Sequence, residues 1–180
     1  MKKGLLILIM ISAASLLGTS CASTSPLTTE ERKAEDMALF NQAKQALADG
    51  SFVLETDKIE FRRGGIANVA SNTNFISAND GYAVVQLAFN NARPGFNNLG
   101  GITLDGKINN VKTSTDRQGN ITYRLDVQGS YLSAVIEVVL YYGSDTAMAT
   151  VYPNFSSNRI TVRGTLYPAE LSNVFKGRTL

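Results

Sequence analysis

Between Phe52 and Tyr167 the apolar residues of this chain fall at every second position, in short runs separated by turn formers. Ile121, Tyr123, Leu125 and Val127 alternate without a break. Ile160, Val162, Gly164 and Leu166 do the same opposite Thr161, Arg163, Thr165 and Tyr167. A period of two puts successive side chains on opposite faces of a pleated strand, whereas a helix needs a repeat of about 3.6. This part of the chain can therefore bury its apolar residues only as strands with one face in a core and the other toward water.

The turn signals divide the pattern. Phe52 to Arg63 is strand-like, with a slip near Thr56-Asp57 that predicts a bulge, and Gly64-Gly65 marks a turn. Asn74–Ala78 and Tyr82–Phe89 flank Asn79-Asp80-Gly81, a strong hairpin signature. Ile102, Leu104 and Ile108 alternate, and Asn109-Asn110 shifts the phase before Val111. Asp116 to Asn120 (DRQGN) turns into the Ile121–Val127 strand. Ser133–Tyr142 is richer in apolar and β-branched residues, which predicts a central strand covered on both faces. Ala147–Tyr152 ends at Pro153, and Ile160–Leu166 is the last strand.

Ahead of the strands lies one helical stretch, Thr28–Asp49. Thr28 and Glu31 stand at capping-box spacing, and Glu30 and Glu31 suit the positive N-terminal dipole. Met37, Phe40, Ala43 and Leu47 form an apolar stripe, and Asp49-Gly50 supplies the stop. The stripe is expected to pack on a sheet. The expected fold is mainly β: a single antiparallel β-sandwich or barrel-like domain of about nine or ten short strands with one N-terminal α-helix. Periodicity leaves sandwich and barrel open. No βαβ spacing is present, which removes the nucleotide-binding folds built on it.

The first residues have a different character. Lys2 and Lys3 precede an apolar run from Leu5 to Leu17, followed by small residues, the pattern of a secretory signal. The run is shorter than the roughly 20 residues of a membrane span. Two cleavages compete. A lipoprotein signal peptidase would cut before Cys21, where Gly18-Thr19-Ser20-Cys21 resembles a lipobox with Gly18 at the place where leucine is common. A general signal peptidase would cut after Ala22 and discard Cys21. Cys21 is the only cysteine. It can form no intrachain disulfide, and a lone free thiol is unusual in an exported protein. Lipidation gives it a role that needs no partner. Each buried lipid methylene contributes roughly 0.8 kcal/mol, so several acyl chains would hold the protein on a membrane durably. The expected organisation is a signal peptide over 1–20, a lipidated tether over 21–29 and a mainly-β domain over 30–180.

Charge and residue types then narrow the function. The formal net charge of +2 comes from Lys2 and Lys3; without them the seventeen basic residues become fifteen, against fifteen acidic. A neutral domain with dispersed charges lacks the basic surface of a nucleic-acid binder, so no nucleic-acid partner is expected. The chain has no histidine. With Cys21 acylated, the usual Ser-His-Asp, Cys-His and zinc chemistries have no residues to work with, and no metal site or cofactor is expected. An enzyme would have to use paired carboxylates, for example among Asp105, Asp126 and Glu137.

Two loops are candidates for binding. Asn90–Gly101 (NNARPGFNNLGG) is the longest irregular stretch, and Asn90, Arg93, Phe96 and Asn97 are its candidate ligand contacts. In Val151–Ile160 (VYPNFSSNRI), Tyr152, Asn154, Phe155, Asn158 and Arg159 could stack on and hydrogen-bond a sugar or peptide. Each loop also has a purely structural reading. Asn and Gly permit left-handed turns, and Pro153 ends a strand while Phe155 packs inward.

The stretches ALADGSFVLETDKIEFRRG (46–64), ASNTNFISAND (70–80), GGITLDGKI (100–108), VYPNFSSNRITVRGTL (151–166) and NVFKGRTL (173–180) together resemble domain-of-unknown-function family 4251, lipoproteins of Bacteroides-type bacteria. The resemblance spans nearly all of residues 35–180. It implies export, lipidation and one mainly-β domain, and it carries over no catalytic residue. Asn72, Asn74, Phe75, Gly100, Gly101, Tyr152, Pro153, Asn154, Phe175, Lys176 and Gly177 lie on the shared motifs. Surface lipoproteins of that bacterial group often carry acidic residues soon after the cysteine. Ala22–Pro26 has none, which points to an outer-membrane anchor facing the periplasm. The resulting expectation is a lipid-anchored cell-envelope protein, non-catalytic, accessory or structural. Its partners would be the membrane and a glycan or envelope protein. The alternative is a glycan- or peptide-binding periplasmic module.

Overall fold

The structure, a computed structural model, describes residues 28–61, 64–88, 101–154 and 159–174. It opens on helix α1, Thr29–Asp49. The capping box forms: the Glu31 amide donates to Thr28 Oγ1 at 3.3 Å and the Thr28 amide donates to Glu31 Oε2 at 2.8 Å. Gly50 ends the helix with φ +67°, a left-handed position that favours glycine. Only the second half is buried, through Phe40, Ala43, Ala46 and Leu47.

Among the described residues nine strands follow: β1 Phe52–Phe61, β2 Ile66–Asn68, β3 Phe75–Asn79, β4 Tyr82–Ala88, β5 Gly101–Thr115, β6 Ile121–Gly129, β7 Ser133–Leu140, β8 Thr146–Pro153 and β9 Ile160–Pro168. From β3 to β9 each strand pairs antiparallel with the next, and β1 pairs with both β3 and β9. The sheet closes on itself as an eight-stranded meander barrel. The short β2 is the extra strand, paired to β1 beyond the point where β3 stops. It is the one described strand that the hydrophobic pattern did not reveal.

Closure removes most free strand edges, and eight strands leave an interior that side chains can fill. The filling is the alternating set: Leu54, Ile59, Ile76, Val85, Leu87, Leu104, Leu125, Ile136, Val138, Ala149 and Val162 all lie in one buried cluster. The helix residues Phe40, Ala43, Ala46 and Leu47 belong to the same cluster, so α1 closes one mouth of the barrel. There Phe52 meets Tyr123 edge to face at 5.5 Å, and Phe40 meets Tyr142 at 5.2 Å. The outer wall carries Lys58, Glu60, Arg124, Glu137 and Arg163, with ion pairs Arg163–Glu60 at 2.9 Å and Arg124–Glu137 at 3.5 Å. An apolar interior and a charged exterior are the reverse of a barrel that spans lipid. No helix among the described residues is long and apolar enough to cross a membrane.

Both expected irregularities are present. β1 shifts register between Thr56 and Lys58, and β5 between Ile108 and Asn110. The two-residue turn Asp80-Gly81 has φ +50° and +78°, the left-handed pair that a tight hairpin requires. One expectation needs correction. Ser133–Tyr142 is not covered on both faces. Ala134, Ile136, Val138 and Leu140 are buried, while Val135, Glu137 and Val139 are half-buried on the outer wall, and the strand stops at Leu140. Its β-branched residues suit a pleated, partly solvated surface as well as a buried one. Outside the barrel, Val53, Phe75 and Val84 form a second buried cluster beneath Ala169 and Val174. A short 3-10 helix, Ala169–Leu171, starts this covering segment, and the Ser172 hydroxyl donates to Glu55 at 2.7 Å.

Candidate functional site

Antiparallel alternation sorts the strand ends. Helix α1, the Asp80-Gly81 turn, the Asp116–Asn120 turn and the Tyr141–Asp145 turn share one end of the barrel. Ala88 and Gly101, Gly129 and Ser133, and Pro153 and Ile160 share the other. Both loops singled out from the sequence are therefore attached to the same rim, opposite the helix. Tyr131, between β6 and β7 on that rim, is fully exposed at 102%. Asn90, Arg93, Phe96, Asn97, Phe155 and Asn158 lie outside the described residues, as does Cys21.

The described candidates divide. Tyr152 and Asn154 come together at the edge of a shallow depression of about 250 Å³ on the outer wall. Arg159 is exposed at the start of β9 and does not line it. The depression crosses β5, β6, β7 and β8 because register places outward residues side by side: Asp126 opposite Asn110 and Val135, Gln128 opposite Ser133, and Val135 opposite Tyr152. Asn109, the extra residue of the β5 bulge, completes the lining with Asp126, Gln128, Ser133 and Val135.

Hydrogen bonds among these residues fix their amides. Asn109 Nδ2 donates to Gln128 Oε1 at 3.2 Å, Asn110 Nδ2 to Asp126 Oδ2 at 3.3 Å, and the Ser133 amide to Asn154 Oδ1 at 3.4 Å. The Asn154 amide in turn donates to the Ser133 carbonyl at 2.9 Å. The sequence did not single out Asn109, Gln128, Ser133 or Val135. Their only signal there is an outward position on alternating strands, which many polar residues share.

Of the carboxylates considered for catalysis, Asp126 and Glu137 are diagonal neighbours on β6 and β7, since Asp126 pairs with Val135, and Asp105 stands apart from them. Glu137 pairs with Arg124, and Asp126 accepts from Asn110. Asp105 neighbours Gly106, which pairs with Gly129, whereas Asp126 pairs with Asn110. That register separates Asp105 from Asp126 by roughly 10–13 Å along the strands.

The family described as Domain of unknown function (DUF4251) matches residues 34–166, from inside α1 to near the end of β9. The chain belongs to this family. A crystal structure of a DUF4251 family protein from Bacteroides eggerthii is similar at 44% identity and a TM-score of 0.71, over 82% of this chain and 99% of that one. No curated protein matches the chain. The DUF4251 region contains the whole barrel up to Leu166 and all of the depression. It ends before Ala169–Val174, the segment that covers the outer face of β1, β3 and β4.

Within the DUF4251 fold, several residues of the stretches that carry the resemblance serve architecture. Asn74 is buried: its Nδ2 donates to the Ala70 carbonyl at 2.9 Å and its Oδ1 accepts from the Ala88 amide at 2.7 Å, tying the approach to β3 to the end of β4. Phe75 and Pro153 are buried. Tyr152 and Asn154 are the exposed motif residues that line the depression. Gly100, Phe175, Lys176 and Gly177 lie outside the described residues.

Proposed function

We propose that this DUF4251 protein is a lipid-anchored, non-catalytic accessory domain of the cell envelope, held to the membrane through Cys21. The observation that carries the reading is the division of the barrel into two ends. The chain enters through α1, whose charged and exposed first half precedes a mouth closed by Phe40, Ala43 and Leu47. The opposite rim bears both candidate loops and the exposed Tyr131. Such an arrangement anchors one end and presents the other. The non-catalytic part is supported by residue chemistry: no histidine, a single cysteine that the anchor would occupy, and Glu137 paired with Arg124.

The test is the intact mass of the native protein from fractionated envelopes. A membrane-bound form beginning at Cys21 with added acyl mass is expected. A soluble form beginning at Ser23 overturns the anchor. A second reading, a ligand-binding module, is favoured by the depression at Tyr152 and Asn154.

A further inference from the structure

The depression on the β5–β8 wall has polar groups left over after its internal bonds are made. Gln128 uses Oε1 on Asn109, which leaves both hydrogens of its Nε2 without a partner among the described residues. Asn154 uses Oδ1 on Ser133, which leaves its Nδ2. Asp126 keeps Oδ1, and Asn109 keeps its amide oxygen. The hydroxyls of Ser133 and Tyr152 can each donate and accept. Tyr152 is 40% exposed and stands across from Val135, so part of its ring offers an apolar surface next to these groups.

We infer that this depression binds a neutral saccharide unit of an oligosaccharide or glycan. Donors and acceptors are interleaved, which matches hydroxyl groups that do both. Vicinal hydroxyls can share the Asp126 carboxylate while the C–H face of the ring lies on Tyr152. Among the described lining residues Asp126 alone is charged, and Lys107 stands opposite Gln128 at the margin, so the two charges balance and favour a neutral ligand. Among the described residues the outward apolar lining is Val135 and the Tyr152 ring, since Val127 and Ala134 face the barrel core, and that is too little for a lipid chain. A volume of about 250 Å³ lies below the roughly 300–1,000 Å³ of drug-sized pockets and suits a single ring with its neighbours in solvent. The inference rests on reading the domain as a binder without catalysis and gives that binder its ligand class.

The experiment is a backbone-amide NMR titration of the mature domain with neutral oligosaccharides of glucose, galactose, mannose and N-acetylglucosamine, beside an oligogalacturonide and a short peptide. The expected result is shifts at Gln128, Ser133, Tyr152 and Asn154 with at least one neutral sugar. Gln128→Ala and Tyr152→Ala should each weaken binding by about tenfold while the amide spectrum remains that of a folded barrel. Gln128 is exposed, so its truncation leaves the fold intact even if Tyr152→Ala does not. Silence with every neutral sugar, or tighter binding of the oligogalacturonide or peptide, overturns the inference. Shifts confined to Ala88, Gly101 and Arg159 also overturn it, but they leave a binding domain standing with its site on the rim.

Discussion

Thr56 is fully buried at the β1 bulge, and its Oγ1 is the one buried side-chain polar atom without a partner among the described residues. Its backbone amide is satisfied, donating to the Asn74 carbonyl at 2.8 Å, while the hydroxyl is orphaned. It faces the barrel interior opposite Gly164. Burying a hydroxyl without a hydrogen bond costs about 1–3 kcal/mol on protein scales. Thr56→Val removes that cost, keeps the β-branched shape and adds apolar area, against some crowding from the larger methyl. The expected net gain is about 1–2 kcal/mol. Urea unfolding should show a higher midpoint with an unchanged slope, and for a domain of this size Tm should rise by roughly 2–8 °C. Thr56→Ser keeps the hydroxyl and loses a methyl, so it should move the other way by about 1 kcal/mol. A destabilised Thr56→Val with an unchanged slope would refute the reasoning, because the hydroxyl would then have to hold a water or another partner inside the barrel.

Other positions are testable in the same unfolding assays. An added Cβ at Gly164 would run into the Glu55 carbonyl oxygen and come within 2.9 Å of Thr56 Cα. Gly164→Ala should therefore cost about 3 kcal/mol or more, while Gly65→Ala, with only the Phe61 ring at 3.6 Å, should stay within about 0.5 kcal/mol. The Asn120 amide, at 2.8 Å, together with backbone donors, holds the Asp116 carboxyl below its ordinary range. A lowered carboxylate pKa is stabilising above the unfolded value and is lost as pH falls through the folded one. Asp116→Asn should thus lower Tm at neutral pH, with the difference from wild type vanishing in acid. Asp145 behaves oppositely: burial, with a smaller contribution from Asp36 on α1, pushes its carboxyl up. The protonated form is preferred in the fold, so stability from it is present below the unfolded value and lost as pH rises. Asp145→Asn should raise Tm at neutral pH and leave it unchanged in acid.

Much of this fold was legible because it is written in local periods. The helix begins and ends where Thr28, Glu31 and Gly50 say it must, since capping depends on residues three or four apart. The bulges at Thr56/Lys58 and Ile108/Asn110 showed as phase slips in the alternation. β2 escaped notice because Ile66, Ala67 and Asn68 make too short a run to show a period, and Ile66 is 64% exposed. Sandwich and barrel stayed open for a different reason. The distinction is the β1–β9 pairing, a contact between residues about a hundred positions apart that leaves no local trace.

The site was half legible for the same reason. Tyr152 and Asn154 could be picked out as aromatic and amide residues flanking a proline. The rest of the depression's lining comes from three other strands, and only register brings it there. Asp126 meets Asn110 because Asn109 is the unpaired residue of the β5 bulge. That one extra residue shifts the register so that Val111 pairs with Leu125, and it turns its own amide toward Gln128. A bulge that is needed to bend the strand is thus also the source of a polar group on the wall. The outward face of β5–β8 is not packed under a covering segment as Val53, Phe75 and Val84 are, so its residue types are freer to record a ligand. Reading them requires knowing which outward residues are neighbours, and that knowledge comes from the closed sheet rather than from the chain.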